Sequence, residues 1–314
     1  MKDFIPLALS TTWNYNGIVS VKAALSEIKN FGFNAIEIGY NFSDDKLDEL
    51  ILLIKDMGIK VSSIHNFCPA PDEGMPGRHI SDRFRISSPD EKERKKGVYY
   101  TKKTIDTATR VSCEVIIIHA GTIDLEKEWI RRLLQLYNER KNSSSKYTAL
   151  KNRILKSRRA RKGPYIEAVV KSLEEIVSYA NTCNVKIALE TRYYPNEIPD
   201  IDEIEYLLNI FANKGVVYWH DVGHGEVNER LGITLHEDFL KRSGDRMFGI
   251  HIHGIKGISD HLAPFTGDFD FSKIAPYLQD DLIKVIEAHS RATPDELIKA
   301  QKRLIRENLT RLDA

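Results

Sequence analysis

Cysteine is scarce in this 314-residue chain. Cys68, Cys113 and Cys183 lie far apart, and none belongs to a CxxC pair. That excludes a zinc ribbon and a thioredoxin-type motif, and so sparse a count points to reduced, buried thiols rather than a disulfide scaffold. A surplus of either charge is also missing. The 46 Lys and Arg face 45 Asp and Glu, for a formal net charge of +1. A chain so balanced is not built mainly to coat nucleic acid or anionic lipid. No apolar run approaches the ~18 residues needed to span a bilayer. Residues 1–6 (MKDFIP) lack the apolar core of a signal peptide. A cytoplasmic protein without a membrane partner is expected, and its length allows one large barrel or two average domains.

What is present is a recurring unit. Short apolar, β-branched runs alternate with polar turns and helical patterns. The runs are Pro6 to Ser10, Ala35 to Tyr40, Val61 to His65, Val115 to His119, Lys186 to Glu190, Val216 to Asp221, Phe248 to His253 and Leu282 to Glu287. Runs this apolar fit strands buried on both faces of a parallel sheet. Between them, Val21, Ala24, Leu25, Ile28 and Phe31 recur at helical spacing before Gly32, and Leu47, Leu50, Ile51 and Ile54 do so before Gly58. Further helices are predicted over 166–180, from Asp200 through Phe211, and from Pro294 after the cap Thr293. Eight β/α units without a break in composition predict a single α/β domain over 1–314, a (β/α)8 TIM barrel, rather than an open doubly wound sheet.

The span 125–163 is irregular and contains the basic stretch Lys151 to Lys162 (KNRILKSRRARK). It is expected to be an enlarged helical insertion between the fourth and fifth strands. A basic lid over a phosphorylated substrate or a nucleic-acid backbone is the alternative, although no aromatic residues are interleaved to stack on bases.

The abundant chemistry-bearing residue is histidine, with ten copies. In such a barrel, function sits at the C-terminal strand ends and the loops after them. His65 ends the third run and His119 the fourth. Glu190-Thr191-Arg192 ends the fifth, and His220-Asp221-Val222-Gly223-His224 the sixth. His251-Ile252-His253 ends the seventh, followed by Asp260-His261, and Glu287-Ala288-His289 ends the eighth. Only His79 and His236 fall elsewhere. Carboxylates do not cluster at one mouth without a cation, and imidazole with carboxylate is a ligand set for a divalent metal. One residue from each of four successive strands supplies it: Glu190, Asp221, a histidine of the seventh strand, and Glu287. His251 and His253 share one side of that strand. The more C-terminal His253 is the expected ligand, with His251 behind it as a supporting donor or packing residue.

These motifs together resemble the xylose isomerase-like barrel superfamily, in its sugar phosphate isomerase/epimerase branch. The resemblance rests on His-Ala-Gly at 119–121, Leu-Glu-Thr-Arg at 189–192, His-Asp-Val-Gly-His at 220–224, His-Ile-His-Gly at 251–254, Asp-His-Leu-Ala-Pro at 260–264 and Val-Ile-Glu at 285–287. It implies one divalent ion (Mn, Zn, Co or Mg) on Glu190, Asp221, His253 and Glu287. It also implies substrate contact by His224, and matching histidines at His65 and His119. The superfamily includes endonuclease IV-like enzymes, which cleave DNA at abasic sites with three zinc ions. Their extra ligands fall on His65, His119, His224, Asp260 and His261. Against that branch, its Asp-x-His is here the contiguous Asp260-His261, and its Asp three places beyond the strand-seven His falls on Lys256.

The reaction expected is isomerisation or epimerisation of a sugar, ketose, polyol or sugar phosphate, with Glu190 and Glu287 as the acid/base pair. An inosose-type dehydratase shares its first step. A small carbohydrate is the expected partner, and a homo-oligomer is left open. Arg192 is expected to bind a substrate hydroxyl or phosphate, or to pair with a loop carboxylate such as Glu197. Trp13 is expected to form an apolar wall beside the sugar, or to pack in the core. Glu37 is expected to orient His65 or to form a buried ion pair.

Overall fold

Eight parallel strands close on themselves in chain order. They are β1 (Ala8–Ser10), β2 (Ala35–Ile38), β3 (Lys60–His65), β4 (Val115–Ile118), β5 (Lys186–Glu190), β6 (Val216–Asp221), β7 (Met247–Ile252) and β8 (Ile283–Ile286). The computed structural model describes residues 7–73, 78–307 and 309–310, so Pro6 of the first expected run lies outside the described residues. Each strand pairs with its chain neighbours, and β1 closes the ring on β8 with Ala8 opposite Val285. The chain forms a TIM barrel.

Period-two alternation explains the layers. Ile36, Ile64, Ile116, Ile118, Ile187, Leu189, Ile250, Ile252 and Ile286 point outward and pack under the helices in one large apolar cluster. Ala8, Ala35, Val115, Ile117, Ala188, Trp219, Ile283 and Val285 point inward and fill the lower barrel. One step further along the same inward faces, the residues become Glu37, His65, Glu190, Asp221, His251 and Glu287, all buried. An apolar floor thus carries a polar upper level, which is the end where such barrels work.

The expected helices form as α1 (Val21–Asn30), α2 (Asp44–Met57), α6 (Gly163–Thr182), α7 (Ile201–Ile210) and α10 (Pro294–Arg306). Capping fixes several of their ends. Gly58 stops α2 at φ +63°, a left-handed conformation that favours glycine. Asp200 and Thr293 form capping boxes with Glu203 and Glu296. Three further helices carry no apolar stripe in the sequence: α3 (Glu91–Arg110), α8 (Val222–Arg230) and α9 (His236–Ser243). The buried face of α3 is threonine-rich. Its hydroxyls reach the chain after β3, with Thr104 Oγ1 2.7 Å from Asn66 Oδ1 and Thr107 Oγ1 2.9 Å from Cys68 O.

Between β4 and α6 lie α4 (Lys127–Asn138) and α5 (Ser145–Arg161). Ser144 caps α5 by accepting from Tyr147 N at 3.2 Å. Leu133, Leu136, Tyr147 and Ile154 give this helix pair its own small core. Two short antiparallel ladders, Gly121–Thr122 with Glu197–Ile198 and Gly254–Lys256 with Ser259–Leu262, stand on the upper rim. Among the described residues, no helix is long and apolar enough to cross a membrane.

Candidate metal centre

A cavity of about 620 Å³ opens at the upper end of the barrel, lined by His65, His119, Glu190, His224, His261 and Glu287 among others. Beneath it, Glu190, Asp221, His251 and Glu287 each offer one donor atom within 4.8 Å of one another. His251 Nδ1 is 2.9 Å from Glu190 Oε1, 2.9 Å from Glu287 Oε2 and 3.6 Å from Asp221 Oδ2. Three of the four expected ligands therefore converge, and the histidine among them is His251 rather than His253.

Hydrogen bonding explains why His253 stands aside. The His261 backbone N–H donates to His253 Nδ1 at 2.9 Å. That fixes the proton of a neutral His253 on Nε2, which donates to Asp221 Oδ1 at 3.1 Å. Neither nitrogen is free to ligate. His253 supports Asp221, the role expected of His251.

Two further donor groups flank the first. His65, His119 and Glu190 form one; Asp221, His224 and His261 form the other, and Glu287 also groups with His261 and His289. Each of the first three histidines is oriented through its Nδ1. His65 Nδ1 donates to Asn66 O at 2.9 Å, His224 Nδ1 donates to Thr191 O at 2.8 Å, and His119 Nδ1 lies 3.1 Å from Asp82 Oδ1. Their Nε2 atoms are left facing carboxylates, at 2.9 Å for His119 to Glu190 and 3.7 Å for His224 to Asp260. An anchored Nδ1–H behind a presented Nε2 is how metal-ligating histidines are held. His251 is held the other way round, by Glu37 Oε2 at 3.0 Å from Nε2.

The electrostatics fit a cation. Burial alone would raise the carboxyl of Glu190, but hydrogen bonds from His119, His251 and His65 hold it well below the usual range. Burial likewise opposes ionisation of Asp221 and Glu287, and the facing histidines overcome it. In return, Glu287 and Glu37 raise His251 against burial, and Asp260 raises His261. His119 resists burial and the Arg192 charge, and Asp82 and Glu190 raise it to about 9. Imidazolium protons thus balance the carboxylates where a divalent ion would do so. The donor set is the hard and borderline N/O type that Mn, Zn, Co or Mg accept.

The remaining expectations divide. Arg192 takes the carboxylate alternative on both sides, with Nη1 2.9 Å from Glu190 Oε2 and Nη2 2.7 Å from Glu197 Oε1. Trp13 packs in the core, against Phe31, and donates through its indole to Ala292 O at 2.8 Å. It therefore ties the loop after β1 to the loop after β8 and forms no sugar wall. Glu37 orients His251, not His65, and accepts from Ser63 Oγ at 2.7 Å. Asp260 pairs with His261 Nδ1 at 3.1 Å, and the two stand in the rim as expected. His220 leaves the mouth, because it follows an inward Trp219 and precedes an inward Asp221. Its Nε2 meets His236 Nε2 at 2.9 Å behind the barrel wall. His79 joins the mouth instead, edge-on to Tyr40. Asp82 is the other site residue that strand-end reading missed, whereas His289, placed at the end of the eighth run, stacks on His261 at 3.9 Å. Asp82 and His79 come from the loop after β3, where no periodicity marks them. His289 carried a signal, since it lies two residues past Glu287.

Comparison with known proteins shows the family. The xylose isomerase-like TIM barrel family description matches residues 25–308. No curated protein matches the chain. Among solved structures, the chain resembles a D-tagatose 3-epimerase-like protein, with TM-score 0.67, 17% identity and coverage of 97% of each chain. It resembles the 3-keto-D-glucoside 4-epimerase of E. coli, with TM-score 0.66, 16% identity, and coverage of 96% of this chain and 99% of that one. It also resembles D-psicose 3-epimerase from Clostridium cellulolyticum, with TM-score 0.62, 16% identity, and coverage of 94% and 90%. Identities this low carry the fold and not the substrate. The family match spans nearly the whole barrel and includes every strand from β2 to β8, so the chain belongs to the xylose isomerase-like TIM barrel family.

Proposed function

We propose that the protein is a divalent-metal-dependent isomerase or epimerase of a sugar, ketose, polyol or sugar phosphate. One observation carries the reading: Glu190 Oε1 and Glu287 Oε2 flank a single donor point, each 2.9 Å from His251 Nδ1. A divalent ion held by Glu190, Asp221, His251 and Glu287 would polarise a substrate carbonyl and acidify the adjacent C–H. Glu190 and Glu287 then act as base and acid: returning the proton to the opposite face of the same carbon epimerises it, and returning it to the neighbouring, former carbonyl carbon, as the hydroxyl loses its proton to become the new carbonyl, isomerises the sugar. His65, His119 and His224 hold substrate hydroxyls in the cavity above. Loss of a β-hydroxyl after the same proton removal would make the enzyme an inosose-type dehydratase. The solved epimerases with this fold support a carbohydrate partner.

A second reading has its own observation. The flanking groups His65–His119–Glu190 and Asp221–His224–His261 provide donors for two more ions. A multinuclear centre suits phosphodiester hydrolysis, as in an endonuclease IV-like abasic-site nuclease. Two measurements separate the readings. The isomerase should bind about one tight ion per chain and exchange a substrate C–H with deuterated water across a panel of sugars and inososes. About three ions, together with cleavage of an abasic duplex and no C–H exchange, would overturn it.

A further inference from the structure

We propose that the insertion helix α5 positions Glu190 through a relay of buried charges, in which Arg158 and Glu197 are positioning residues. The proposal rests on the reading of Glu190 as metal donor and base. Arg158 lies in the basic stretch for which a lid was the alternative reading, yet its guanidinium is buried. It is bidentate to Glu203, with Nη1 2.8 Å from Oε1 and Nη2 2.7 Å from Oε2. Nη1 also donates to Asp200 Oδ2 at 2.6 Å, and Nη2 to the Glu197 carbonyl at 2.7 Å. Its charge is therefore met inside the protein and is not available to an incoming phosphate.

The Glu197 side chain continues the path. Its Oε2 accepts from Tyr194 N at 2.6 Å, and its Oε1 from Arg192 Nη2 at 2.7 Å. Arg192 Nη1 then donates to Glu190 Oε2 at 2.9 Å. Arg158, Glu197, Arg192 and Glu190 are all buried. A buried charge that loses its partner is destabilised strongly and its neighbours rearrange. Without Arg158, Asp200 and Glu203 keep only the half-exposed Lys162, 3.4 Å from Glu203 Oε1, to offset their charge, and the Glu197 carbonyl loses its donor. The loop at 191–200 then stops clamping Arg192, and Glu190 Oε2 is left to the histidines, with His119 Nε2 at 2.9 Å, without the guanidinium that holds it from the other side. Supporting groups of this kind are worth about 10- to 100-fold in metal affinity.

The test is Mn²⁺ titration of the full-length, metal-stripped protein, with thermal denaturation run alongside. Arg158→Met should weaken Mn²⁺ binding by about tenfold or more. Arg158→Lys, which keeps the charge but not the fork, should fall between that variant and wild type. Arg159→Met, next in the chain and exposed, should bind Mn²⁺ as wild type does. Glu197→Gln, at the other end of the relay, should weaken binding comparably, and it stands as the test if Arg158→Met does not fold. The double variant should be no weaker than the worse single one, because both break one path. Wild-type affinity in Arg158→Met or Glu197→Gln, even with a lowered Tm, overturns the relay alone. A wild-type protein that binds no Mn²⁺ overturns the reading of the site and the relay with it.

Discussion

His251 Nδ1 lies 2.9 Å from Glu287 Oε2, at the point where the carboxylates of β5, β6 and β8 converge. The neighbouring His253 has both nitrogens committed, to the His261 backbone and to Asp221. The two histidines should therefore respond differently to removal. His251→Ala should abolish tight metal binding, whereas His253→Ala should weaken it by roughly the 10- to 100-fold of an outer partner. Isothermal titration with Zn²⁺ on metal-stripped protein checks this. The reverse order would return the ligand role to His253.

Glu37 reaches the site from β2. Its Oε2 holds His251 Nε2 at 3.0 Å and accepts from Ser63 Oγ at 2.7 Å. Glu37→Gln keeps the shape and removes the charge, so metal affinity should fall by about 10- to 100-fold with little change in fold. The same titration, paired with circular dichroism, measures both effects.

The metal-free protein should lose stability as the solution becomes alkaline. His119 is raised from about 6.5 to about 9, because Asp82 and Glu190 outweigh burial and the Arg192 charge. A raised pKa gives stability that is complete below about pH 6.5 and is lost as pH climbs through about 9. The amount at stake is on the order of 3 kcal/mol. Asp82→Asn should flatten that slope. Metal binding requires its ligand His251 to be neutral, and Glu287 and Glu37 raise that histidine against burial, so affinity should instead rise with pH. Urea denaturation and Mn²⁺ titration across pH 6 to 10 follow the two opposite trends.

The barrel and the carboxylates of the site were legible in the sequence because both rest on simple periodicities. Apolar strand runs followed by Glu190, Asp221 and Glu287 already state which end is polar. The histidines were harder. A strand end is defined only to a residue or two, and one step reverses the face. His220 was therefore counted at the mouth although it points outward to His236. The choice between His251 and His253 depended on a hydrogen bond from the His261 backbone, which no spacing encodes. Asp82 and His79 reach the site from a loop, and α3 hid its buried face behind threonines that bond to backbone.

Metal removal should have a measurable thermal cost. Binding to the folded state alone stabilises it by RT ln(1 + [L]/Kd), about 2.7 kcal/mol at a hundredfold excess over Kd. Chelator-treated protein should therefore melt several degrees lower, and Zn²⁺ or Mn²⁺ should restore it in a concentration-dependent way. Differential scanning fluorimetry reads this directly. A Tm that does not move with metal would count against a resident ion.

The floor of the site supplies the last test. Trp219 is buried one inward step below Asp221, and its ring centroid is 5.2 Å from that of His251. The space it occupies exists because Gly249, one inward step below His251, has no side chain. A Cβ at Gly249 would fall 2.0 Å from Trp219 Cζ3 and 2.3 Å from Cη2. The indole is packed within the inward layer and has the His251 ring as a direct neighbour, so a shift of the one is passed to the other. Gly249→Ala should therefore cost about 1–3 kcal/mol from overpacking, and it should also weaken metal binding by displacing His251 from Glu190 and Glu287. Urea denaturation gives the first quantity and Mn²⁺ titration the second. A loss of stability with unchanged affinity would show that the donors are held from the rim alone, independently of the floor beneath them.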